Sequence, residues 1–285
     1  MSQGSSIRAA IADAQARLER AGIHPTARMD AELLLMHAIQ RPRAFLLANP
    51  EYVLSDEEFE KFQQSLLRRQ LHEPIQYIMG TMEFYGLQLF VDARVLIPRS
   101  ETEHLVEAVL ERTPVDRPIR IVDVGTGSGA IAIAMAAHRP LANVAALDIS
   151  PAALELATRN ANHHGVADRI RFLVSDVLSA VETEQFDVVV SNPPYIAIGE
   201  GPSLSRQVRE HEPAVALFAG DTGHEIYERL IPQTKRVLKS GGWLALEFGF
   251  GQKDALSRLL AGWSEVSFIS DLQGIPRVVC ARLPQ

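Results

Sequence analysis

From residue 101 onward the chain alternates short, nearly continuous apolar runs with segments of helical period. The runs are residues 119–124, 144–148, 170–174, 186–190 and 243–248; the helical patterns are residues 104–112, 130–138, 151–163 and 226–238. A strand that is apolar along its length, and not only at every second residue, is buried on both faces. Strands separated by helices close into a mostly parallel, doubly wound sheet with helices on either side. Two further segments, 265–270 and 277–282, read as closing strands with a short antiparallel finish. Sheets of this kind bind ligands in the crevice beyond the carboxyl ends of their strands. The residues just after each run are therefore the first candidates for chemistry.

The preceding part of the chain has a different grammar. Residues 5–72 show only helical spacing, as in Ile7-Ile11-Ala14-Leu18 and Leu33-Leu34-His37-Ala38, and suggest about four short helices in a bundle. Ser55 with Glu58 three residues on is a capping box, opening a helix that runs through Leu71. His72 and Glu73-Pro74 end the pattern. Between residues 75 and 97, apolar residues alternate around Gly86, the signature of a β-hairpin. The expected organisation is a helical domain at 1–73, a hairpin linker at 74–97 and an α/β domain at 98–285.

Charge and cysteine content narrow the function classes. A net charge of −7 argues against a protein held by bulk attraction to nucleic acid phosphates. The single cysteine, Cys280, lies in the apolar run Val278-Val279-Cys280-Ala281 and reads as a small core residue. No apolar run has the length of a membrane span and the first twenty residues have no signal-peptide core, so a cytoplasmic setting is the expectation.

The first run, Ile121-Val122-Asp123-Val124, passes directly into Gly125-Thr126-Gly127-Ser128-Gly129, with a helix starting at Ala130. Glycines there let the backbone turn sharply and let a ligand lie against it. The spacing G-x-G-x-G differs from the G-x-G-x-x-G of dinucleotide binders. Asp148 ends the next run, 19 residues beyond Gly129, where a carboxylate can accept hydrogen bonds from both hydroxyls of a ribose. Loop and acid together indicate a nucleoside-containing cofactor, either a dinucleotide or S-adenosylmethionine.

The fourth run ends in Asn192-Pro193-Pro194-Tyr195. Each proline fixes its own φ and holds the residue before it extended, so Asn192 and Pro193 have little freedom. The corner presents two stiff acceptors, the Asn192 side-chain oxygen and the Pro193 carbonyl. Two fixed acceptors suit a planar –NH2 group, which has two donors. Held this way, the nitrogen of an amide or an aromatic amine can pyramidalise and aim its lone pair at a methyl carbon, with the interactions strengthening as charge develops. Tyr195 can pack on the flat group and fence out water.

In these motifs the chain resembles the amino-methyltransferases that act on planar nitrogens with S-adenosylmethionine. Within that class it resembles the HemK/PrmC family of protein-(glutamine-N5) methyltransferases, which modify peptide chain release factors. The likeness extends to Pro74-Ile75-Gln76-Tyr77-Ile78-Met79-Gly80, Phe84-Tyr85-Gly86-Leu87, Val95-Leu96-Ile97-Pro98-Arg99, Glu101-Thr102-Glu103, Glu212-Pro213-Ala214-Val215-Ala216-Leu217 and Ser240-Gly241-Gly242-Trp243. It implies a Rossmann-like methyltransferase fold with a seven-stranded sheet, a small N-terminal all-α bundle and a linking hairpin. It implies a cofactor site at Gly125, Thr126, Gly127, Ser128, Gly129 and Asp148, with Asp176 and Val177 flanking the adenine and Asn192 touching the cofactor side. Asn192, Pro193, Pro194 and Tyr195 are implied as the catalytic and substrate-binding residues. The implied substrate is the glutamine of a release factor's Gly-Gly-Gln loop. The implied reaction is direct displacement at the sulfonium methyl with no metal, and the expected state is a monomer with no nucleic acid or membrane partner. Rival expectations are glutamine methylation of a ribosomal protein and amino-methylation of a nucleic acid. The chain departs from the family pattern at Ser100, where a second proline is usual, and at Val177, where a bulky residue is common.

Several charged residues invite readings of their own. Glu101 and Glu103 suit the first turn of a helix, and Glu101 also suits a place near the cofactor's amino-acid end. The pairs His163-His164 and His211-Glu212 lack metal-ligand spacing and read as solvated surface, as do Arg68-Arg69 and Arg41-Pro42-Arg43.

Overall fold

The computed structural model describes residues 5–285. One compact unit takes the chain up to Gly80 together with Ser205–His211; the other comprises Thr81–Leu204 and Glu212–Gln285.

The first unit is helical: α1 (Ile7–Arg20), α2 (Ala27–Ile39), α3 (Arg43–Ala48), α4 (Asp56–Gln70) and α5 (Ile75–Met79). Both halves of the capping box form at α4: Ser55 Oγ accepts from the Glu58 N–H and the Glu58 carboxylate accepts from the Ser55 N–H. The apolar stripes of α1, α2 and α4 enclose a core that includes Leu18, Leu34, Leu35, Phe62 and Leu66. Arg69 departs from expectation. The period that buries Phe62 and Leu66 carries Arg69 to the same face, and its guanidinium is buried against Asp30 at 2.7 Å and the Glu73 carbonyl at 3.1 Å. Residues 75–79, left with the hairpin by the sequence pattern, make the helical turn α5, with Pro74 at its N-cap and Ile78 in the helical core.

The second unit begins with the hairpin, β1 (Thr81–Phe84) and β2 (Leu87–Phe90). Tyr85 and Gly86 form its two-residue turn, both with positive φ (51° and 73°), as the right-handed twist of a hairpin requires. Then follow α6 (Ser100–Arg112), β3 (Ile119–Val124), α7 (Ala130–His138), β4 (Ala142–Asp148), α8 (Pro151–His163), β5 (Ile170–Val174), β6 (Phe186–Ser191) and β7 (Ile196–Ala197). After α9 (Arg206–His211), which belongs to the helical unit, come β8 (Phe218–Gly220), α10 (Glu225–Val237), β9 (Leu238–Glu247), α11 (Lys253–Leu259), β10 (Ser264–Ser270) and β11 (Pro276–Arg282).

Seven strands form one sheet in the order β10-β11-β9-β6-β3-β4-β5, and only β11 runs antiparallel, to both of its neighbours. Alternate residues of each central strand serve opposite faces. Ile121, Val144, Val188 and Val190 pack with α6, α7 and the hairpin residues Phe84 and Leu89, while Val122, Leu147, Val189 and Leu244 pack with α10 and α11. Cys280 is fully buried in the first of these cores. β9 starts at Leu238, earlier than the apolar run indicated. Its pairing with β6 skips residues between Phe186 and Val188. A Cβ on Gly242 would come within 3.0 Å of two carbonyls, so this glycine permits the bulge.

The strand order reverses at β3, whose neighbours are β4 on one side and β6 on the other. In register, Val124 lies opposite Leu147 and Ser191, and Ser191 opposite Leu246. The carboxyl ends of β3, β4, β6 and β9 therefore share one rim, which is where such a reversal opens a crevice.

Candidate active site

The glycine loop is built by its own backbone. Gly125 and Thr126 both donate to the Leu147 carbonyl at 2.8 Å, and Gly129 donates to the Thr126 carbonyl at 2.8 Å. Gly125 and Gly127 have φ of +73° and +55°, a left-handed conformation that suits glycine, and face the crevice without a side chain. Thr126 and Ser128 do not line the crevice. The Thr126 hydroxyl donates to Asp123 Oδ2 at 2.6 Å, and the Ser128 carbonyl accepts from Asn160 Nδ2 at 2.9 Å. Gly129 packs beneath the loop, where an added Cβ would sit 3.0 Å from Ile133 and 3.1 Å from Ala157.

Asp148 braces this loop. Its Oδ2 accepts from the Gly127 N–H at 2.8 Å and its Oδ1 from the Ser150 N–H at 2.9 Å. The N-cap of α8 is Ser150, whose hydroxyl accepts from the Ala153 N–H, so Asp148 is not spent on capping. Each carboxylate oxygen keeps lone-pair capacity toward the crevice. Burial pushes its carboxyl above the usual range, against the pull of these backbone donors.

Beside it, Ser191 anchors the end of β6 to the end of β3 through a 2.6 Å bond to the Val124 carbonyl. Asn192 and Pro193 follow directly. Asn192 Nδ2 donates to Thr102 Oγ1 at 3.0 Å, and the Thr102 hydroxyl donates to Glu247 Oε2 at 2.6 Å. The Tyr195 hydroxyl donates to the other oxygen of Glu247 at 3.4 Å, and the Tyr195 carbonyl accepts from Gln252 at 2.8 Å. Burial, with the Glu247 charge beside it, raises the Tyr195 phenol, which stays protonated. Glu247 is only 2% exposed, and burial, reinforced by the charge of Glu101, lifts it to about 7.

A cleft of about 210 Å³ joins these parts. Of the residues singled out in the sequence, Gly125, Gly127, Asp148, Asp176, Val177, Asn192, Pro193 and Pro194 line it; Thr126, Ser128, Gly129 and Tyr195 stand behind it. The Asp176 carboxylate pairs with Arg229, and Val177 has a positive φ of 52°, rare for a β-branched residue. Arg94, Val95 and Leu96 supply one wall and Pro213, Val215 and Phe218 another; Val95, Leu96, Pro213 and Val215 lie in segments that carry the family likeness, but none of the six was among the expected site residues. A second hollow lies at the amino ends of the strands, but its Arg120 and Arg171 are both held by Glu184 and its Arg169 by two backbone carbonyls.

Three side chains that read as surface or helix filler are structural. Glu212, expected to be solvated, is 6% exposed and accepts from the Ile97 N–H at 3.3 Å and from Arg99 at 2.6 Å. Glu103 accepts from the Tyr85 N–H at 2.7 Å and so holds the hairpin turn. Asn160 is fully buried; it accepts from the Phe90 N–H at 2.7 Å and donates to the carbonyls of Phe90 and Ser128. It thereby joins the hairpin edge to the glycine loop. His164 bonds the Gln88 carbonyl, and His163 stacks edge-on with Phe90.

Two family models match the chain: a PrmC N-terminal domain over residues 9–80 and a methyltransferase small domain over residues 101–207. The release factor glutamine methyltransferase of Koribacter versatilis is 45% identical over 261 residues, covering 91% of this chain and 92% of that protein. The Escherichia coli protein of the same name is 43% identical over 260 residues, covering 90% and 93%. Among solved structures, the hMettl16 catalytic domain in complex with the MAT2A 3'UTR hairpin 6 superposes with a TM-score of 0.56 at 17% identity, covering 84% of this chain and 86% of that one. At that identity the match concerns the fold alone.

Proposed function

This chain belongs to the release factor glutamine methyltransferase family, and from that premise we infer that it methylates the side-chain amide nitrogen (N5) of the glutamine in the Gly-Gly-Gln loop of a peptide chain release factor. The methyl donor is S-adenosylmethionine, which supplies an electrophilic methyl group on a cationic sulfur. The cleft fits this donor. Gly125 and Gly127 offer a surface without Cβ atoms, Asp148 offers free lone pairs for a ribose, and Val124, Ile149 and Val177 offer apolar surface for an adenine. The Thr126 hydroxyl is committed to Asp123 and the Ser128 carbonyl to Asn160, and both residues hold the loop from behind the cleft. Gly129 sets the turn beneath, and Asp176, paired with Arg229, borders the adenine end.

The observation that carries the reading is the Asn192-Pro193 corner at the rim shared with the glycine loop. The Asn192 oxygen and the Pro193 carbonyl each accept one hydrogen of the substrate amide and hold its plane fixed. Pro193 and Pro194 keep both acceptors from relaxing away. Tyr195, anchored at its hydroxyl and its carbonyl, closes the corner against water. Acceptors that tighten as the nitrogen gains positive character favour the transition state over the ground state.

We assign recognition of the rest of the factor to the helical domain at 1–73, with residues 74–97, which hold α5 and the hairpin, as linker and the α/β domain at 98–285 as catalyst. A net charge of −7 supports a protein substrate over nucleic acid and a monomer that works alone. Among the described residues no helix is long and apolar enough to cross a membrane, which suits a cytoplasmic enzyme. The test is incubation with methyl-labelled S-adenosylmethionine, a purified release factor and its Gly-Gly-Gln→Gly-Gly-Ala variant. Label on the first and none on the second is the expected result. Label on both, or only on ribosomal protein or nucleic acid added to the mixture, contradicts the substrate.

A further inference from the structure

We propose that Glu247, acting through Thr102, is a positioning residue that sets which end of the Asn192 amide faces the substrate. The proposal rests on the reading of Asn192 as an acceptor for the substrate amide, and it adds what makes Asn192 an acceptor. An asparagine amide has an oxygen at one end and an –NH2 at the other, of similar size, and nothing in its shape chooses between them. The choice must come from its partner.

That partner is Thr102 Oγ1, which lies 3.0 Å from Asn192 Nδ2 and 2.6 Å from Glu247 Oε2. A hydroxyl has one proton. An ionised Glu247 only accepts, so the Thr102 proton is committed to it and lone pairs alone face Asn192. Asn192 then must offer its –NH2 to Thr102, which leaves its oxygen for the cleft. Among the described residues no protein group hydrogen-bonds that oxygen. If Glu247 becomes a donor, the logic inverts. Its proton satisfies Thr102, the Thr102 proton turns toward Asn192, and the Asn192 oxygen is drawn inward. The substrate –NH2 would then meet another –NH2.

The fold makes Glu247 the natural place for this control. It ends β9, next to Asn192 in the register that pairs Leu246 with Ser191. Its second oxygen holds the Tyr195 hydroxyl, so one carboxylate reaches both ends of the four-residue corner. Thr102 and Glu247 are 4% and 2% exposed, so water does not substitute for either partner. The charged and titratable groups facing Glu247 are Glu101 on α6, Arg277 on β11, Tyr195, and Tyr227 on α10, whose hydroxyl donates to the Glu247 backbone carbonyl at 3.4 Å; Arg99 adds positive charge near Tyr195. Burial and Glu101 favour the neutral acid, whereas Thr102, Tyr195 and Arg277 favour the carboxylate. With the balance at about 7, the orientation of Asn192 responds to pH near neutrality.

The test compares wild type with Glu247→Gln, Thr102→Val and Thr102→Ser, first by calorimetric binding of S-adenosylmethionine and then by turnover on a release factor. Glu247→Gln keeps size and burial but can donate. It is expected to bind the cofactor within about twofold of wild type while kcat falls roughly 30- to 100-fold, the scale of a donor facing a donor in a buried site. Thr102→Val should behave alike and Thr102→Ser should recover most of the rate. The wild-type kcat should also rise with pH through about 7, and this limb should vanish in Glu247→Gln. A second readout is binding of a factor whose loop glutamine is changed to glutamate. Wild type, presenting an oxygen, should bind it at least tenfold more weakly than the glutamine factor, and Glu247→Gln should erase that preference. Full kcat and unchanged discrimination in Glu247→Gln overturns the proposal while the methylation reading stands. Absence of methylation by wild type overturns the methylation reading itself. If Glu247→Gln does not fold, Thr102→Val and Thr102→Ser decide by the same discrimination assay.

Discussion

Replacing Asn160 by alanine should unfasten the hairpin from the glycine loop. The Asn160 side chain is fully buried and makes three hydrogen bonds, at 2.7 Å from the Phe90 N–H, 3.0 Å to the Phe90 carbonyl and 2.9 Å to the Ser128 carbonyl. The Ser128 carbonyl is wholly enclosed, so losing its partner costs the desolvation penalty of about 1–3 kcal/mol. The two Phe90 groups are partly reachable by water, so each loses a net bond of about 1 kcal/mol. The expected total is about 3–5 kcal/mol, measured as the change in unfolding free energy by urea titration. Amide exchange should accelerate at Phe90, whose N–H loses its acceptor. Asn160→Asp keeps an acceptor for that N–H but sets a second oxygen against two carbonyls, and should be no better. A loss under 1 kcal/mol with unchanged exchange at Phe90 would refute the reasoning.

Gly129→Ala adds a Cβ at φ +82°, 3.0 Å from Ile133 and 3.1 Å from Ala157, and should cost about 2–4 kcal/mol by the same titration. Asp148→Asn turns one carboxylate oxygen into a donor facing a backbone N–H and weakens the ribose contacts; calorimetry should show S-adenosylmethionine binding roughly 10- to 100-fold weaker. Glu247 is held at about 7 in the fold against an ordinary 4.5, so the native state binds its proton more tightly than the unfolded chain. Its favourable balance is fully present below pH 4.5 and is lost as pH rises through 7. The stability of Glu247→Gln relative to wild type should therefore grow by up to about 3 kcal/mol over that interval, read from denaturation midpoints at several pH values.

The sheet was legible because burial on both faces leaves a signal that needs no partner. Ile121, Val122, Val189 and Val190 read as a double-sided core from composition alone. The glycine loop and Asp148 were legible because both sit at strand ends a short distance apart in sequence, and the proline corner because two prolines restrict the backbone wherever they stand. What escaped were buried polar residues whose partners are remote. Thr102 and Glu247 lie 145 residues apart, and each alone reads as a helix or strand position. Arg69 and Glu212 read as solvated because charge usually is, and their burial is explained by the remote charges of Asp30 and Arg99 together with the Glu73 carbonyl and the Ile97 N–H. The parallel pair β7 and β8, two and three residues long, is too short to carry any period.

The central claim is that one rim holds both the methyl donor and the acceptors for a glutamine amide. It is tested most directly by tandem mass spectrometry of a release factor after incubation with wild type and with Asn192→Ala, alongside calorimetric binding of S-adenosylmethionine to each. The account predicts a single added methyl on the side-chain nitrogen of the loop glutamine with wild type. With Asn192→Ala it predicts no methyl, while the cofactor still binds. Methylation at the same nitrogen by Asn192→Ala at the wild-type rate, or a methyl found on any other atom of the factor, would contradict it.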